Sequence, residues 1–224
     1  LNFLYEKHIG KHAKPGRSIP FDITVFEVRA MQLETKRMWL RSWREADYQD
    51  MYEYAKDPRV GPQAGWPVHD SAEESRETVR SFMQEKKDLV LALELKENGK
   101  VIGSIGLHDR LVSLAYERMQ SREMGYVLNP AYWGQGLMPE AAMKMMEYGF
   151  YEMGLDMIWC GHFEGNEKSR RVIEKCGMIP MFRRMEAFPL IGKKHVVCYY
   201  SLTAEEFAAR PKIAFRAFTI ESKR

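Results

Sequence analysis

The sequence predicts a mixed α/β (α+β) fold in one domain, and three observations carry that prediction. β-rich runs and segments of helical periodicity alternate from Met31 to about Thr203. Residues 89–108 hold two β-rich runs joined by Glu97-Asn98-Gly99, a hairpin signal. Between residues 121 and 153 a β-rich run, a glycine-bearing turn and an apolar-periodic helix follow one another directly.

Taken in order, residues 33–43 alternate partially and read as a first strand, and residues 44–56 read as a helix that stops before Asp57-Pro58. A Gly- and Pro-rich loop fills residues 61–70, after which Ser71-Ala72-Glu73-Glu74 has the pattern of a capping box opening a helix to about Lys87. Runs 89–96 and 100–108 form the hairpin, with Asn98-Gly99 expected to supply its positive φ angles. A strand over 121–128 stops at Asn129-Pro130, and a helix over 137–153 ends at Gly154. A strand over 155–163, a short helix over 167–176 closed by Gly177, and a terminal hairpin of 178–188 with 193–202 complete about seven strands. Residues 1–30 lack periodicity and are read as an N-terminal extension outside the domain, an upstream stretch of reading frame. The domain proper spans 31–205, and 206–224 form a C-terminal tail in which a short helix follows Thr203.

Bulk properties exclude several classes. A chain of 224 residues suits one domain with extensions, and 45% hydrophobic with 29% charged residues exclude disorder throughout. The net charge of +3 arises from 34 basic and 31 acidic residues, a balance that does not suggest direct nucleic-acid binding. Cys160, Cys176 and Cys198 form no CxxC pair, so neither a disulfide framework nor a metal site is expected. No apolar run approaches the roughly eighteen residues of a membrane span, and no signal peptide is evident, so a cytoplasmic protein off the membrane is expected.

The chemistry-bearing feature is Tyr132-Trp133-Gly134-Gln135-Gly136-Leu137, between the strand at 121–128 and the helix from 137. Two glycines let backbone approach a ligand, and a helix N-terminus offers unpaired N–H groups and the positive end of its dipole, a cradle for a pyrophosphate. The same glycines could simply shape the connection. The turn is no Gly-x-Gly-x-x-Gly fingerprint, because Pro139 stands where the third glycine would be, and no Gly-Lys-Ser/Thr follows for a P-loop.

From residue 33 to 202 several segments in order resemble the GNAT superfamily of N-acetyltransferases, in the branch of the ribosomal-protein N-terminal acetyltransferases. They are the Glu-Thr-Lys-Arg-Met-Trp-Leu-Arg run at 34–41, Val101-Ile102-Gly103-Ser104-Ile105-Gly106-Leu107, Met124-Gly125-Tyr126-Val127-Leu128, the glycine turn through Pro139-Glu140-Ala141, residues 166–178, and Tyr199-Tyr200-Ser201-Leu202. The resemblance implies a mixed, mostly antiparallel sheet whose fourth and fifth strands, at 121–128 and 155–163, splay apart for the pantetheine of acetyl-CoA. It implies backbone N–H groups of Gln135, Gly136, Leu137 and Met138 on the pyrophosphate, Gly134 permitting the approach, and Val127 and Leu128 paired with pantetheine amides. Asn166 and Ser169 match an Asn-x-x-Ser that touches the pantetheine arm. They also fit the N-cap and first turn of the helix, and both roles can coexist.

Attack of an amine on a thioester needs a group to remove the amine proton and one to protonate the thiolate. The tyrosine that many members use as thiolate acid is replaced here by Ile173, so Ser169 becomes the candidate acid and Glu123 the candidate base, directly or through water. Glu123 can equally be a solvated strand carboxylate. Trp66 and His108 are assigned to the acceptor pocket, with core packing as the alternative for Trp66. His162 and Glu164 near the end of the fifth strand are further titratable candidates. Met138, Met143, Met145 and Met146 read as adaptable core filler, and Arg183-Arg184 as a solvated pair. The expected activity is transfer of acetyl from acetyl-CoA to a primary amine, a protein N-terminus or a small molecule. The alternative is a non-catalytic acyl-CoA-binding or regulatory module. Dimers are frequent in the family, so a homodimer is among the expected arrangements.

Overall fold

The structure, a computed structural model, describes residues 31–210; the extension read at 1–30 and the tail beyond 210 lie outside the described residues. In chain order the first half forms β1 (Gln32–Glu34), β2 (Met38–Arg41), α1 (Tyr48–Ala55), α2 (Ala72–Gln84), β3 (Leu89–Leu95), β4 (Val101–His108) and β5 (Ser121–Leu128). The second half forms α3 (Leu137–Tyr151), β6 (Met157–Phe163), α4 (Glu167–Lys175), β7 (Ile179–Phe188), β8 (Lys193–Thr203) and α5 (Ala204–Ala208). The strands make one sheet in the order β1-β2-β3-β4-β5-β6-β8-β7, antiparallel throughout except for the parallel β5–β6 pair.

Eight strands stand where the sequence suggested about seven, because residues 33–43 fold into the β1–β2 hairpin. Thr35 makes the turn: its hydroxyl accepts from Met38 N–H at 2.9 Å, and its own N–H donates to Met38 O at 3.0 Å. At the β3–β4 turn only Gly99 takes a positive φ, of 72°, and no non-glycine residue does so among the described residues. The turn therefore spans residues 96–99, closed by Leu95 N–H to Lys100 O at 2.9 Å, and is not a two-residue Asn-Gly turn. At α2 Ser71 caps as expected, accepting from Glu74 N–H at 3.2 Å, but the Glu74 carboxylate accepts from Asp70 N–H instead of closing the box on Ser71.

Alternation along the strands sends side chains to two faces. Under α3, α4 and α5, Met124 and Leu128 of β5 meet Ile158 and Cys160 of β6 and the buried stripe Leu137, Met138, Ala141, Ala142, Met145 and Met146 of α3. The methionines thus fill core, as their spacing suggested. On the opposite face α1 and α2 cover Val101 and Val127 at one end, and Val112, Trp159, Phe163 and Tyr199 cluster at the other.

The middle of the sheet positions the site. β5 and β6 pair only from Ser121↔Met157 to Met124↔Cys160. Beyond that, β5 stays on β4 as far as Gly103↔Leu128, and β6 stays on β8 as far as Phe163↔Val197. Each strand follows its outer neighbour, and a wedge opens between residues 125–128 and 161–163, the splay expected for the fourth and fifth strands.

Candidate active site

The wedge leads straight into the glycine turn. Asn129 fixes the exit from β5: its N–H donates to Ile102 O at 2.7 Å, its Oδ1 accepts from Ala131 N–H at 3.0 Å and its Nδ2 donates to Glu53 of α1 at 2.9 Å. Gly134 and Gly136 then take φ of 78° and 73°, a region that costs other L-residues about 1–2 kcal/mol. Gly136 is the N-cap of α3, and no atom lies within 4 Å of where a Cβ on Gly134 would stand. The N–H groups of Gln135, Gly136, Leu137 and Met138 donate to no group among the described residues, and the first backbone bond of the helix runs from Glu140 N–H to Gly136 O at 3.3 Å. The Met138 side chain is buried, so only its backbone faces the turn. Four free donors, an open approach and a helix dipole fit a pyrophosphate.

Two residues without a role in the sequence reading brace this cradle. Arg37, in the β1–β2 turn, donates from its N–H to Glu140 Oε1 at 2.8 Å, from Nε to Glu140 Oε2 at 2.7 Å and from Nη1 to Gln135 O at 2.8 Å. Its guanidinium lies 3.7 Å from the position of a Cβ on Gly136. The ion pair offsets the Glu140 charge, which would otherwise oppose an anion. Although burial opposes it, Thr35 and Arg37 hold the Glu140 carboxyl below its ordinary value.

Ladder parity decides which backbone groups line the wedge. Asn129 and Ile102 form a hydrogen-bonded pair, so Val127 and Ser104, two residues on, form the next. Val127 thereby turns its N–H and C=O toward β4, and the groups facing the wedge are those of Tyr126 and Leu128, a correction to the expected role of Val127. The Leu128 carbonyl already accepts from Trp133 Nε1 at 2.8 Å. The Trp133 ring also carries the Lys168 ammonium 3.7 Å from its centroid, linking the turn to the start of α4.

On the α4 side, Asn166 Oδ1 accepts from Ser169 N–H at 3.1 Å, the capping role anticipated for it. The Ser169 hydroxyl lies 3.0 Å from Tyr126 Oη, which the sequence reading passed over. Burial, with Cys160 and Cys176 nearby, pushes the Tyr126 phenol well above its ordinary value. Ile173 is fully buried in the core under α4.

The opposite face of the wedge is built from charge. Glu123 accepts from Arg110 Nη1 at 2.6 Å, and Arg110 also pairs with Glu186, which accepts from Tyr199 Oη at 2.7 Å. Burial works against the Arg110 charge, but Glu123 and Glu186 outweigh it and raise the group above its ordinary value. His108 stands opposite Glu123 in the ladder and is bonded to Asp88.

Trp66 is 8% exposed and belongs to the cluster with Val127, the core alternative for this residue. Its neighbour Gly65 abuts Phe188, where an added Cβ would come within 2.6 Å of the ring, and Phe188 packs on Phe163 with centroids 4.6 Å apart. The loop between α1 and α2 thus meets the end of β7 across the mouth of the wedge. His162 and Glu164 lie apart from this cluster: His162 is buried against Tyr200, and Glu164 pairs with Arg183 at 3.0 Å. Arg184 pairs with Glu186, and both arginines are exposed, as expected of a solvated pair.

A sheet parted beside a helix N-terminus offers a slot that ends in an anion cradle, and comparison with known proteins gives its class. Residues 37–179 match the acetyltransferase (GNAT) domain family. The N-acetyltransferase YnaD of Bacillus subtilis, of uncharacterised function, is 31% identical over 180 residues, 79% of this chain and 99% of that protein. A GNAT-family acetyltransferase structure from Bacillus anthracis superposes with a TM-score of 0.69 at 27% identity, covering 79% of this chain and all of that one. Two more distant structures, both 17% identical, share the fold. The ribosomal-protein-S5-alanine acetyltransferase of Vibrio fischeri has a TM-score of 0.63 over 81% of this chain and 100% of that one. The spermidine N-acetyltransferase of Vibrio cholerae, in complex with CoA and spermine, has a TM-score of 0.64 over 76% of this chain and 98% of that one. The chain belongs to the GNAT family of N-acetyltransferases.

Among the described residues no helix is long and apolar enough to cross a membrane, and Cys160, Cys176 and Cys198 are free. Burial pushes the Cys176 thiol up to about 12.

Proposed function

We propose that the protein transfers the acetyl group of acetyl-CoA to a primary amine by direct attack in a ternary complex, in a reducing cytosol. The observation that carries this reading is the wedge between β5 and β6 opening beside four free N–H groups at the start of α3. Acetyl-CoA supplies an acetyl group already activated as a thioester. Gln135, Gly136, Leu137 and Met138 hold the pyrophosphate through backbone N–H groups, with Arg37 adding positive charge beside them. Tyr126 and Leu128 offer backbone groups along the wedge. Ser169, backed by the Tyr126 hydroxyl, protonates the departing thiolate, a part that Ile173 cannot play. Glu123 and His108 border the place of attack from the other face.

The names of two fold neighbours cite alanine of ribosomal protein S5 and spermidine, and a primary amine as acceptor suits both. The test is thiol release from acetyl-CoA with spermidine, free amino acids and peptides beginning with alanine or serine. Amine-dependent release is expected and would name the acceptor class. A protein that binds acetyl-CoA by calorimetry yet releases no thiol with any of them would overturn the transfer reading.

A further inference from the structure

One pair of titratable groups, His108 and Asp88, is hydrogen-bonded together and moves no proton in the steps above. His108, the last residue of β4, is 7% exposed, and its Nδ1 lies 2.7 Å from Asp88 Oδ2. The other Asp88 oxygen accepts from Asp109 N–H at 2.8 Å. Burial opposes ionisation of Asp88, but the His108 ring and the Asp109 N–H outweigh it and hold the carboxyl below its ordinary value. An ionised carboxylate only accepts, so Nδ1 carries a proton, and whenever the ring is neutral Nε2 presents a lone pair.

Nε2 is aimed by the strands beneath it. A Cβ on Gly106 or on Gly125 would come within 3.1 Å of Nε2, and these two glycines face each other across the β4–β5 ladder. The imidazole therefore lies over a bare stretch of backbone that only glycine leaves open. Gly125 is also the first residue of β5 beyond the last β5–β6 rung, Met124↔Cys160, so Nε2 stands at the apex of the wedge. Asp109 pairs with Arg122 at 3.2 Å, and Glu123 with Arg110 at 2.6 Å. Glu123 is thus committed to a guanidinium, whereas Nε2 of His108 has no partner among the described residues.

We infer that His108 is the general base of acetyl transfer, with Asp88 as its positioning residue. The inference rests on the transfer reading above. The acceptor nitrogen bonds to the acetyl carbon and its proton passes to His108 Nε2. The C–S bond then breaks with its electron pair on sulfur, which takes a proton from the Ser169–Tyr126 side; the imidazolium returns its proton to solvent, and solvent gives one back to the Ser169–Tyr126 pair. Asp88 fixes the tautomer and stabilises the imidazolium that forms.

The test uses the full chain with acetyl-CoA and two acceptor probes, spermidine and a peptide with N-terminal alanine, with water as a third, slow acceptor. His108→Gln and His108→Ala are expected to lower kcat/KM by about 100-fold or more, with calorimetric acetyl-CoA affinity unchanged. Added imidazole should restore part of the His108→Ala rate in proportion to its neutral form. Asp88→Asn should lower kcat/KM and move its acid limb to lower pH, because the carboxylate that favours imidazolium is gone. This variant carries the test alone if the His108 variants do not fold. Rates within about threefold of wild type, or a fall with neither imidazole rescue nor a shifted acid limb, would overturn the dyad. A wild-type chain that releases no thiol removes the transfer reading, and the base with it. The two failures are distinct, since one shows in the unaltered chain and the other only in the variants.

Discussion

The two ends of the wedge are built from different materials. At the end proposed to hold the donor, the turn into α3 presents backbone N–H groups shaped by Gly134 and Gly136, and side chains such as Arg37 and Glu140 only brace it. At the end proposed to receive the acceptor, Glu123, Arg110, Glu186, His108 and Asp88 form the surface through contacts among side chains. Backbone donors suit a ligand portion that never varies, and a side-chain surface can be altered without moving the chain. Substitutions should therefore separate the ends: donor-end changes alter acetyl-CoA affinity, and acceptor-end changes alter turnover or stability at constant affinity.

The largest effect is expected at the donor end. Gly136→Val forces a β-branched residue to φ near 73° and disturbs the N–H array, so acetyl-CoA affinity measured by calorimetry should fall about 100-fold or more. The strain should cost about 1–2 kcal/mol of stability in urea melts. Unchanged affinity would break the comparison at its stronger side. Next comes Arg110→Met, which leaves Glu123 and Glu186 without their shared cation. A loss of about 2–3 kcal/mol in denaturant stability is expected, below the cost of breaking a fully buried pair because Arg110 is partly exposed. Acetyl-CoA affinity of the folded variant should stay within about twofold of wild type, and a large drop would show that the ends are not separable.

A smaller effect is expected from Arg37→Gln, which frees the Glu140 charge beside the cradle. Affinity should fall about tenfold, by about 1.4 kcal/mol, with little change in melting temperature. The smallest concerns acid. The folded-state pKa of Glu140 is depressed from 4.5, so its contribution is present above the unfolded value and is lost as pH falls through the folded one. Stability should therefore decline below about pH 4.5 by up to about 1 kcal/mol from this group. Glu140→Gln should flatten that part of the profile in melts run across the acid range.

The same division explains what could be read from the sequence. Ser121–Leu128 was legible to the residue because a β-rich run ends at Asn-Pro, and the turn announced itself by glycines three residues and one residue before a helix start. Asn166 and Ser169 were legible because a cap is a local contact. The β1–β2 turn was missed because its signal is a single threonine hydroxyl in a stretch that otherwise alternates. Arg37 and Glu140 are 103 residues apart, Arg110 and Glu186 are 76 apart, and Asp88 and His108 are 20 apart across a strand pair. Nothing local in the chain marks such partners. The direction of the Val127 backbone was not legible because one-residue parity is set by the β4 partner and not by β5 itself.

The parallel rung from Ser121↔Met157 to Met124↔Cys160 has a mechanical meaning as well. It is a four-residue seam joining two half-sheets, β1–β5 on one side and β6, β8 and β7 on the other. The rest of their shared border is open, with strand amides turned toward it. A molecule that fills the border would act as a stitch between the halves, adding cohesion where the sheet is least sewn together.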